Sequence, residues 1–394
     1  MIIFICLLAL TSTAMAESDL QQVLKVGNDE FTAKMFKEVE KAQRGKSCVL
    51  SAFSVLSPLA QLALASVGPS HDEILQVIGM PNDNVTTEVF SVSNKRLRSV
   101  KGVVLKQANK VYVRDGYSLN QQFATTSKNI FNSEVQNIDF GKQEAAASEI
   151  NKWVEDHTNN RIKDLVDPTS LTALTAAVLV NAIFFKGQWK IPFEEVDTKE
   201  KNFFVNKDKN VQMPMMHQKD KFKYADIREL DAKVLEMAYE GDETSFVVVL
   251  PNQLDGIDSL IEKLHDPATF SKCLKAMELG HVSVTLPKFK IETTTKLKEV
   301  LQKMNVTKLF NENEARLDNL IKGESSLYVN DAIQKAFIEV NEEGSEAAAA
   351  NKFDVYFPTS VGSRPYYRPF NADHPFLFYL MENDNILFNG VFRS

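Results

Sequence analysis

Apolar residues recur at helical spacing in the first part of the chain. Between residues 19 and 43 they fall near one face of a helix, with charged residues between them. The apolar positions of this face are Leu20, Val23, Leu24, Phe31, Met35 and Val39. Ser51–Val67 is almost wholly apolar, which predicts a second, buried helix. Ile150–Leu165 predicts a third, amphipathic helix that stops near Asn159 and Asn160.

Short runs of β-branched and aromatic residues predict buried strands farther along. Val178–Phe185 and Phe246–Leu250 are of this kind, and Val282–Ile291 alternates as one more strand. Helices come first, and strands mixed with helices follow without a regular strand–helix repeat, which predicts an α+β fold. No Pro/Gly/Ser-rich linker divides the chain, so we expect one large domain.

Composition narrows the class of protein and its partners. Hydrophobic residues make up 44% of the 394 residues, enough for a sizeable core, and this argues against disorder. The net charge is −7, and because binding to phosphates needs a basic face, we expect no nucleic-acid partner. We interpret the local basic cluster at residues 95–101 as solvated surface.

The N-terminal residues predict a secretory signal. Ile2–Leu10 is apolar but too short to span a bilayer, and residues 14–16 have the small–x–small pattern that signal peptidase accepts. We therefore expect cleavage before Glu17, an extracellular protein that is not inserted in a membrane, and a single mature domain over residues 17–394.

Cysteines and sequons add two expectations about the mature chain. Cys48 and Cys273 lie too far apart in sequence to form a disulfide framework, so free buried thiols and a single bridge both remain open. Asn84 and Asn305 each begin an Asn-x-Thr sequon, which predicts glycosylation in a secreted chain.

The sequence contains no established catalytic pattern. It has no Gly-x-Ser-x-Gly elbow, dinucleotide-binding glycine motif, Walker loop, His-Glu-x-x-His or Cys-x-x-Cys. Its 6 histidines lack metal-ligand spacing. We therefore expect no catalytic residue, no metal and no other cofactor, and an enzyme is the least favoured class.

Several separate segments resemble one family, the serpins. Phe-Asn-Ala-Asp-His-Pro-Phe-Leu-Phe-Tyr-Leu at 370–380 resembles the family's C-terminal signature. Asn-Ala-Ile-Phe-Phe-Lys-Gly-Gln-Trp at 181–189 is similar to the main-sheet strand that ends at a buried tryptophan. Residues 71–75, 286–292 and 342–350 also match family segments, the last one being the reactive-loop hinge. The matches keep the family order over essentially the whole mature chain.

The resemblance implies a fold and a mechanism. The fold has a large central, mostly antiparallel sheet, two further sheets, surrounding helices and an exposed reactive loop at about 342–369. The implied function is that of a monomeric inhibitor whose loop is attacked by a serine protease to give a covalent acyl-enzyme. The cut loop then inserts into the central sheet and distorts the protease. About 15 inserted residues, at ~3.3 Å each, move the protease on the order of 50 Å.

The hinge contains a small, flexible lead-in at Gly344 and Ser345, followed by alanines, as rapid insertion requires. Inserted side chains are buried on both faces of the sheet, and insertion competes with deacylation, so bulky or charged residues would slow it. The residues alone also fit an Ala-rich helix. The hinge residues implied by the resemblance are Glu342, Gly344, Ser345, Ala347, Ala348, Ala349 and Ala350.

The resemblance also implies a polar gate that holds two central strands together. Ser51, Ser54, Asn181 and Gln334 occupy its positions, and Trp189 is expected where the loop first enters the sheet. Many relatives have His at the position of Gln334, whose amide can both donate and accept hydrogen bonds. Ordinary core packing is the alternative for each of these residues.

Family spacing does not fix the bond that the protease attacks. Counting forward from Glu342 gives Pro358, whereas counting back from the signature gives Arg364. A proline on the leaving side lacks the N–H and puts its ring into the protease cleft. The Phe357–Pro358 and Arg364–Pro365 bonds are therefore expected to be poor substrates.

Two bonds remain as better candidates. The Tyr356–Phe357 bond offers a large aromatic ring to a deep apolar pocket, so we favour a chymotrypsin-like target. The Thr359–Ser360 bond follows Pro358 and would suit an elastase-like pocket. Trypsin-like cleavage at Lys352 or Arg364 is the third possibility.

The competing function is that of a non-inhibitory serpin, a carrier, storage protein or chaperone. We expect the hinge of such a protein to contain bulky, charged or proline residues, which hinder insertion. Ala347–Ala350 contains none of these, which favours an inhibitor.

Overall fold

Helices surround two sheets in the computed structural model, which describes residues 15–323, 327–345 and 365–394. The α-helices are α1 Glu17–Ala42, α2 Ala52–Ala65, α3 Pro69–Ile78, α4 Asp83–Leu97, α5 Gln121–Phe131, α6 Gln143–His157, α7 Ile257–Lys263, α8 Pro267–Ala276 and α9 Leu297–Lys303. None of the helices in these ranges is both long and apolar enough to cross a membrane.

The three predicted helices are present, with shifted bounds. The second begins after Ser51, whose hydroxyl accepts the Ser54 N–H and caps α2. The third, α6, starts at Gln143 rather than Ile150, because alanines of high helix propensity precede the amphipathic stretch. It ends at His157, just before Asn159 and Asn160, which both have positive φ.

The strands are distributed from Cys48 to Phe392, with helices between them. They are β1 Cys48–Leu50, β2 Val103–Arg114, β3 Ser133–Ile138, β4 Ala177–Gln188, β5 Lys199–Asn206, β6 Lys209–Ile227, β7 Ala232–Ala238, β8 Thr244–Pro251, β9 Glu278–Pro287, β10 Phe289–Lys296, β11 Asp331–Val340, β12 Gly344–Ser345, β13 Arg368–Asn371, β14 Phe376–Glu382 and β15 Asn385–Phe392. The predicted strands at 178–185 and 246–250 lie inside β4 and β8.

The six-stranded sheet has the order β10-β11-β4-β2-β3, with β12 also paired to β4. Its centre is the parallel pair β11 and β4, in which Gln334 lies opposite Asn181. Both sides of this sheet are covered, and the residues of β4 from Ala177 to Phe185 are all buried. This burial explains the continuous apolar run in the sequence.

The nine-stranded sheet has the order β1-β15-β14-β8-β7-β6-β9-β13, with β5 on β6. The strand β6 is 19 residues long and pairs with β5, β7 and β9 along its length. It thereby joins the strands outside the central sheet into one hydrogen-bonded network, so the described residues form one further sheet rather than the two that were expected. The predicted α+β class is confirmed.

The prediction of a single strand over Val282–Ile291 is wrong. The structure divides this stretch between β9 and β10, which belong to different sheets. Lys288 lies between them and donates its backbone N–H to the Pro214 carbonyl (2.9 Å). Apolar and polar residues alternate on both sides of the break, so the local pattern does not reveal the change of sheet.

The two cysteines of the mature chain are free and buried. Burial raises the pKa of the Cys48 thiol to about 12 and that of Cys273 to about 11. Both thiols therefore pack in the interior as neutral groups, and they do not form a disulfide with each other.

Candidate functional site

A buried polar cluster links the two central strands of the six-stranded sheet. The Gln334 amide donates to the Asn181 side-chain oxygen (2.7 Å), which also accepts the Ser54 hydroxyl (3.0 Å). The same Gln334 amide donates to the Ser51 carbonyl (2.8 Å), and the Asn181 amide donates to the Ser54 carbonyl (3.0 Å). All four predicted gate residues are thus brought together, and all are buried.

The cluster also ties these strands to β15 of the opposite sheet and to β2, the neighbour of β4. The Ser51 hydroxyl donates to the Leu387 carbonyl of β15 (2.5 Å), and the Asn181 amide donates to the Asn109 side chain of β2 (2.6 Å). Separating β4 from β11 breaks the bond between Gln334 and Asn181. A buried polar group of this cluster that finds no other partner after the separation costs about 1–3 kcal/mol.

A tight turn follows β11 at residues 341–344. Asn341 and Gly344 exchange backbone hydrogen bonds (2.8 and 3.3 Å), and the Asn341 side chain accepts the N–H groups of Glu343 and Gly344 (3.1 Å each). Gly344 has φ of +148°, and a Cβ there would lie 2.0 Å from the Gly187 carbonyl oxygen. Only glycine fits this position.

The turn places the start of the hinge against β4. Gly344 pairs with Gln188 and Ser345 with Gly187, in antiparallel register. The Ser345 hydroxyl is buried and lies 2.7 Å from the Tyr239 hydroxyl. Burial raises the pKa of Tyr239 far above its ordinary value, so this hydrogen bond joins two neutral hydroxyls.

Trp189 lies under the turn rather than in the polar cluster. Its backbone N–H donates to the Glu343 carbonyl (2.8 Å), and its indole N–H donates to the Asn341 carbonyl (2.9 Å). Its ring stacks on Tyr239, with centroids 4.5 Å apart and an interplanar angle of 11°. Trp189 and Asn181 are about 26 Å apart along the strand at ~3.3 Å per residue, so the polar cluster and the turn are separate sites.

Glu342 is held by three partners at the outer edge of the turn. Its carboxylate forms an ion pair with Lys288 (2.8 Å) and accepts the Thr198 hydroxyl (2.9 Å), while its carbonyl accepts the Phe193 N–H (2.9 Å). Burial by itself would raise the pKa of the Glu342 carboxyl. The hydrogen bonds from Lys288 and Thr198 outweigh burial, and the pKa lies below its usual value.

The comparisons decide which family carries this arrangement. The sequence model of the family described as "Serpin (serine protease inhibitor)" matches residues 26–394. The chain belongs to the serpin family. It is 55% identical to "Alaserpin" of Manduca sexta over 389 residues, which covers 98% of each chain. It is also 55% identical to "Antichymotrypsin-2" of Bombyx mori, over 96% of this chain and 100% of that one.

Solved serpin structures agree with the fold. "Serpin48" of Tenebrio molitor is 32% identical, with a TM-score of 0.87 that covers 97% of this chain and 100% of the other. The serpin fold expected from the sequence is therefore confirmed, and the family is one of protease inhibitors.

Part of the serpin reactive loop lies outside the described residues. This applies to all four hinge alanines and to every candidate for the attacked bond. They are Ala347, Ala348, Ala349, Ala350, Lys352, Tyr356, Phe357, Pro358, Thr359, Ser360 and Arg364. Within the described residues, Glu342, Gly344 and Ser345 occupy the turn and the first pairs with β4.

Both sequon asparagines of this serpin are exposed. Asn84 lies in the first turn of α4, and Asn305 follows α9 with φ of +70°. Their side chains are accessible for a glycan, and glycosylation itself stays a prediction.

Sequence reasoning missed the partners of the hinge. Lys288 lies inside segment 286–292, one of the family matches, so a signal was present there. Asn341 directly precedes segment 342–350, whereas Tyr239 and Thr198 carry no comparable signal, because they reach the hinge only through the packing of segments distant in sequence.

Proposed function

We propose that this serpin is a secreted suicide-substrate inhibitor of chymotrypsin-like serine proteases. The observation that carries the proposal is the antiparallel pairing of Gly344 and Ser345 with β4, next to the end of β11. The first residues of the loop thus already occupy the place where an inserted strand would begin. The cut loop would continue this strand and trap the protease as an acyl-enzyme.

The register of β12 supports cleavage at the Tyr356–Phe357 bond. Continued along β4, this register would pair Val355 with Ala177, the first of the 12 residues of β4. A cut after Tyr356 leaves a strand that matches β4 with one residue beyond it. A cut after Thr359 leaves four unpaired residues beyond the end of β4.

The polar cluster is proposed as the gate for this insertion. The new strand has to pass between β4 and β11, where Gln334 and Asn181 now bind each other. Ser51 and Ser54 hold these two side chains from α2, so the cluster would set how readily the strands part. Trp189 and Tyr239 would guide the entering strand at the hinge end.

The names of relatives do not decide the protease class. "Antichymotrypsin-2" and "Antitrypsin", both of Bombyx mori, are 55% and 53% identical to this chain. The residues of the bait therefore have to decide, and the Tyr356 ring fits a deep apolar pocket. Secretion after cleavage before Glu17 and glycosylation at the two sequons belong to the same proposal.

Incubation with chymotrypsin and with trypsin, separately, tests the proposal. We expect a complex with chymotrypsin that survives denaturing gels, and a released peptide that begins at Phe357. Tyr356→Asp is the control, which should lose this complex while keeping the thermal unfolding of the parent. A covalent complex with trypsin alone would show that the assigned specificity is wrong.

A carrier is the second candidate function. Its support is the likeness to "Thyroxine-binding globulin complexed with thyroine", 26% identical with a TM-score of 0.85. Thermal unfolding before and after cleavage of the loop separates the two functions. A large rise in the unfolding temperature is expected for an inserting inhibitor, and no change would favour the carrier.

A further inference from the structure

An exposed face of the nine-stranded sheet combines lysines with a leucine. Lys219, Lys221 and Lys223 occupy alternate positions of β6 and are all exposed, so they share one face of the strand. On the neighbouring strand β9, Leu279 pairs with Lys223 and is 70% exposed. We call these four residues the lysine–leucine face.

This face adjoins the start of the reactive loop. A cleft of about 230 Å³ beside it is lined by Leu279, Lys221 and Lys190, among others. Lys190 directly follows Trp189, whose backbone N–H binds the Glu343 carbonyl in the hinge turn. The cleft wall and the hinge turn are therefore joined by a hydrogen bond at the residue next to Lys190.

The same face adjoins the end of the loop. The chain is described again from Pro365, and the Tyr367 ring packs edge-on to the His281 ring at 5.2 Å. His281 is two residues from Leu279 on β9 and pairs with Lys221 of β6. A protease that engages a loop anchored at Ser345 and Pro365 is thus brought next to the lysine–leucine face.

The charges of this face are only partly compensated. Lys223 pairs with Glu236 (3.1 Å), and Lys190 pairs with Asp242 (2.6 Å). Lys219 and Lys221 have no ion pair within the described part of the chain. The face therefore stays positive, although the whole chain carries a net charge of −7.

We propose that the lysine–leucine face is a second docking surface for the target protease. Its partner is an acidic surface with an apolar spot, beside the active-site cleft of that protease. The inference rests on the proposed function, because it takes the loop to be bait. Complementary charge at this place raises the rate of association, while the loop sequence continues to determine which bond is cut.

A matched pair of substitutions tests the place of docking. Leu279→Asp and Leu174→Asp remove the same side chain and add the same charge, and Leu174 is 78% exposed. Leu174 lies three residues before β4, about 40 Å from the hinge end at ~3.3 Å per residue. We expect Leu279→Asp to lower the association rate constant with chymotrypsin about fivefold, and Leu174→Asp to leave it unchanged. Equal rates for both variants overturn the proposal.

The charge of the partner is tested with chymotrypsin and its succinylated, more acidic form. Because the chain as a whole repels an acidic protein, faster capture of the succinylated enzyme would have to come from a local positive face. We expect this gain for the parent and its loss in the Lys219→Ala/Lys221→Ala variant, with the number of inhibitor molecules used per protease unchanged. The same rate ratio in parent and variant overturns the proposal.

Two further measurements keep the outcomes separate. Binding of chymotrypsin whose catalytic serine has been removed reports docking without acyl-enzyme formation. If Leu279→Asp binds this enzyme more weakly and Leu174→Asp does not, docking at the lysine–leucine face is supported. Absence of a covalent complex with active chymotrypsin would reject only the proposed trapping of the acyl-enzyme. If sedimentation shows that the chain self-associates and Leu279→Asp abolishes this, the face binds a second copy and the proposal is overturned.

Discussion

Glu342 shows how one side chain holds the hinge in its resting position. Its carboxylate side chain is only 7% exposed, whereas that of its partner Lys288 is 45% exposed. The ion pair connects the turn after β11 to the residue just before β10. Since Thr198 also donates to this carboxylate, removing the charge would leave two donors without their acceptor.

Glu342→Lys is expected to loosen the hinge. It places two positive charges together, and we expect the free energy of unfolding to fall by about 1–3 kcal/mol, less than for a fully buried pair because Lys288 is partly solvated. Chemical denaturation measures this. The control is the double variant Glu342→Lys/Lys288→Glu, which restores the pair and should recover most of the loss. No recovery would show that the effect does not come from this ion pair.

The junction between α3 and α4 is held by one histidine. The two ring nitrogens of His71 bind Asp72 of α3 (3.0 Å) and Asp83 of α4 (2.7 Å). Burial by itself would lower the pKa of His71, but the two carboxylates outweigh it and the pKa lies above its usual value. The protonated ring therefore ties the first turns of two helices together.

The stability of this junction should depend on pH in a defined direction. Because the pKa of His71 is raised on folding, its contribution is complete below about 6.5, the unfolded value, and is lost as the pH rises through the folded value. We expect His71→Gln to flatten the fall of the unfolding temperature between about pH 6 and 8. His157→Gln on α6 is the control. An unchanged pH profile in His71→Gln would contradict the assignment.

The six-stranded sheet as a whole is arranged to accept one more strand. The parallel pairing of β11 with β4 covers only 331–337 and 178–184, and β12 takes the place beside β4 beyond that point. A strand inserted in this register is antiparallel to both neighbours. It would replace one parallel ladder by two antiparallel ones, which are more stable per residue, so the change in strand pairing favours insertion.

In the proposed mechanism, insertion also requires a new hydrogen-bond partner for the polar cluster. If the inserted strand keeps the register of β12, Asn351 would come opposite Asn181, where its amide would replace that of Gln334. We expect Asn351→Leu to leave buried groups unpaired and to increase the serpin consumed per protease roughly twofold or more, because slower insertion allows deacylation. Titration of chymotrypsin measures this ratio. Asn351→Ser keeps a polar group and should stay close to the parent, and equal ratios for all three proteins would reject the register.

Much of this molecule is readable from its sequence. Helical periodicity located α1, α2 and α6, and the contiguous segments 181–189 and 370–380 indicated the family. The residues predicted for the gate also came from the sequence, through the family resemblance, and Asn181 and Trp189 lie inside the matched segment 181–189. The residues offered to the protease and the specificity proposed for them rest on sequence alone, that is, on the chemistry of the Tyr356–Phe357 bond.

Only the tertiary structure decided how these parts meet. The division of residues 278–296 between two sheets, the pairing of Ser345 with β4, and the contacts of Tyr239 and Lys288 with the hinge all depend on neighbours from distant segments. Local patterns report which side chains are buried and not what they are buried against. For that reason the sequence determined the family and its chemistry, whereas packing determined that the loop begins already joined to the sheet.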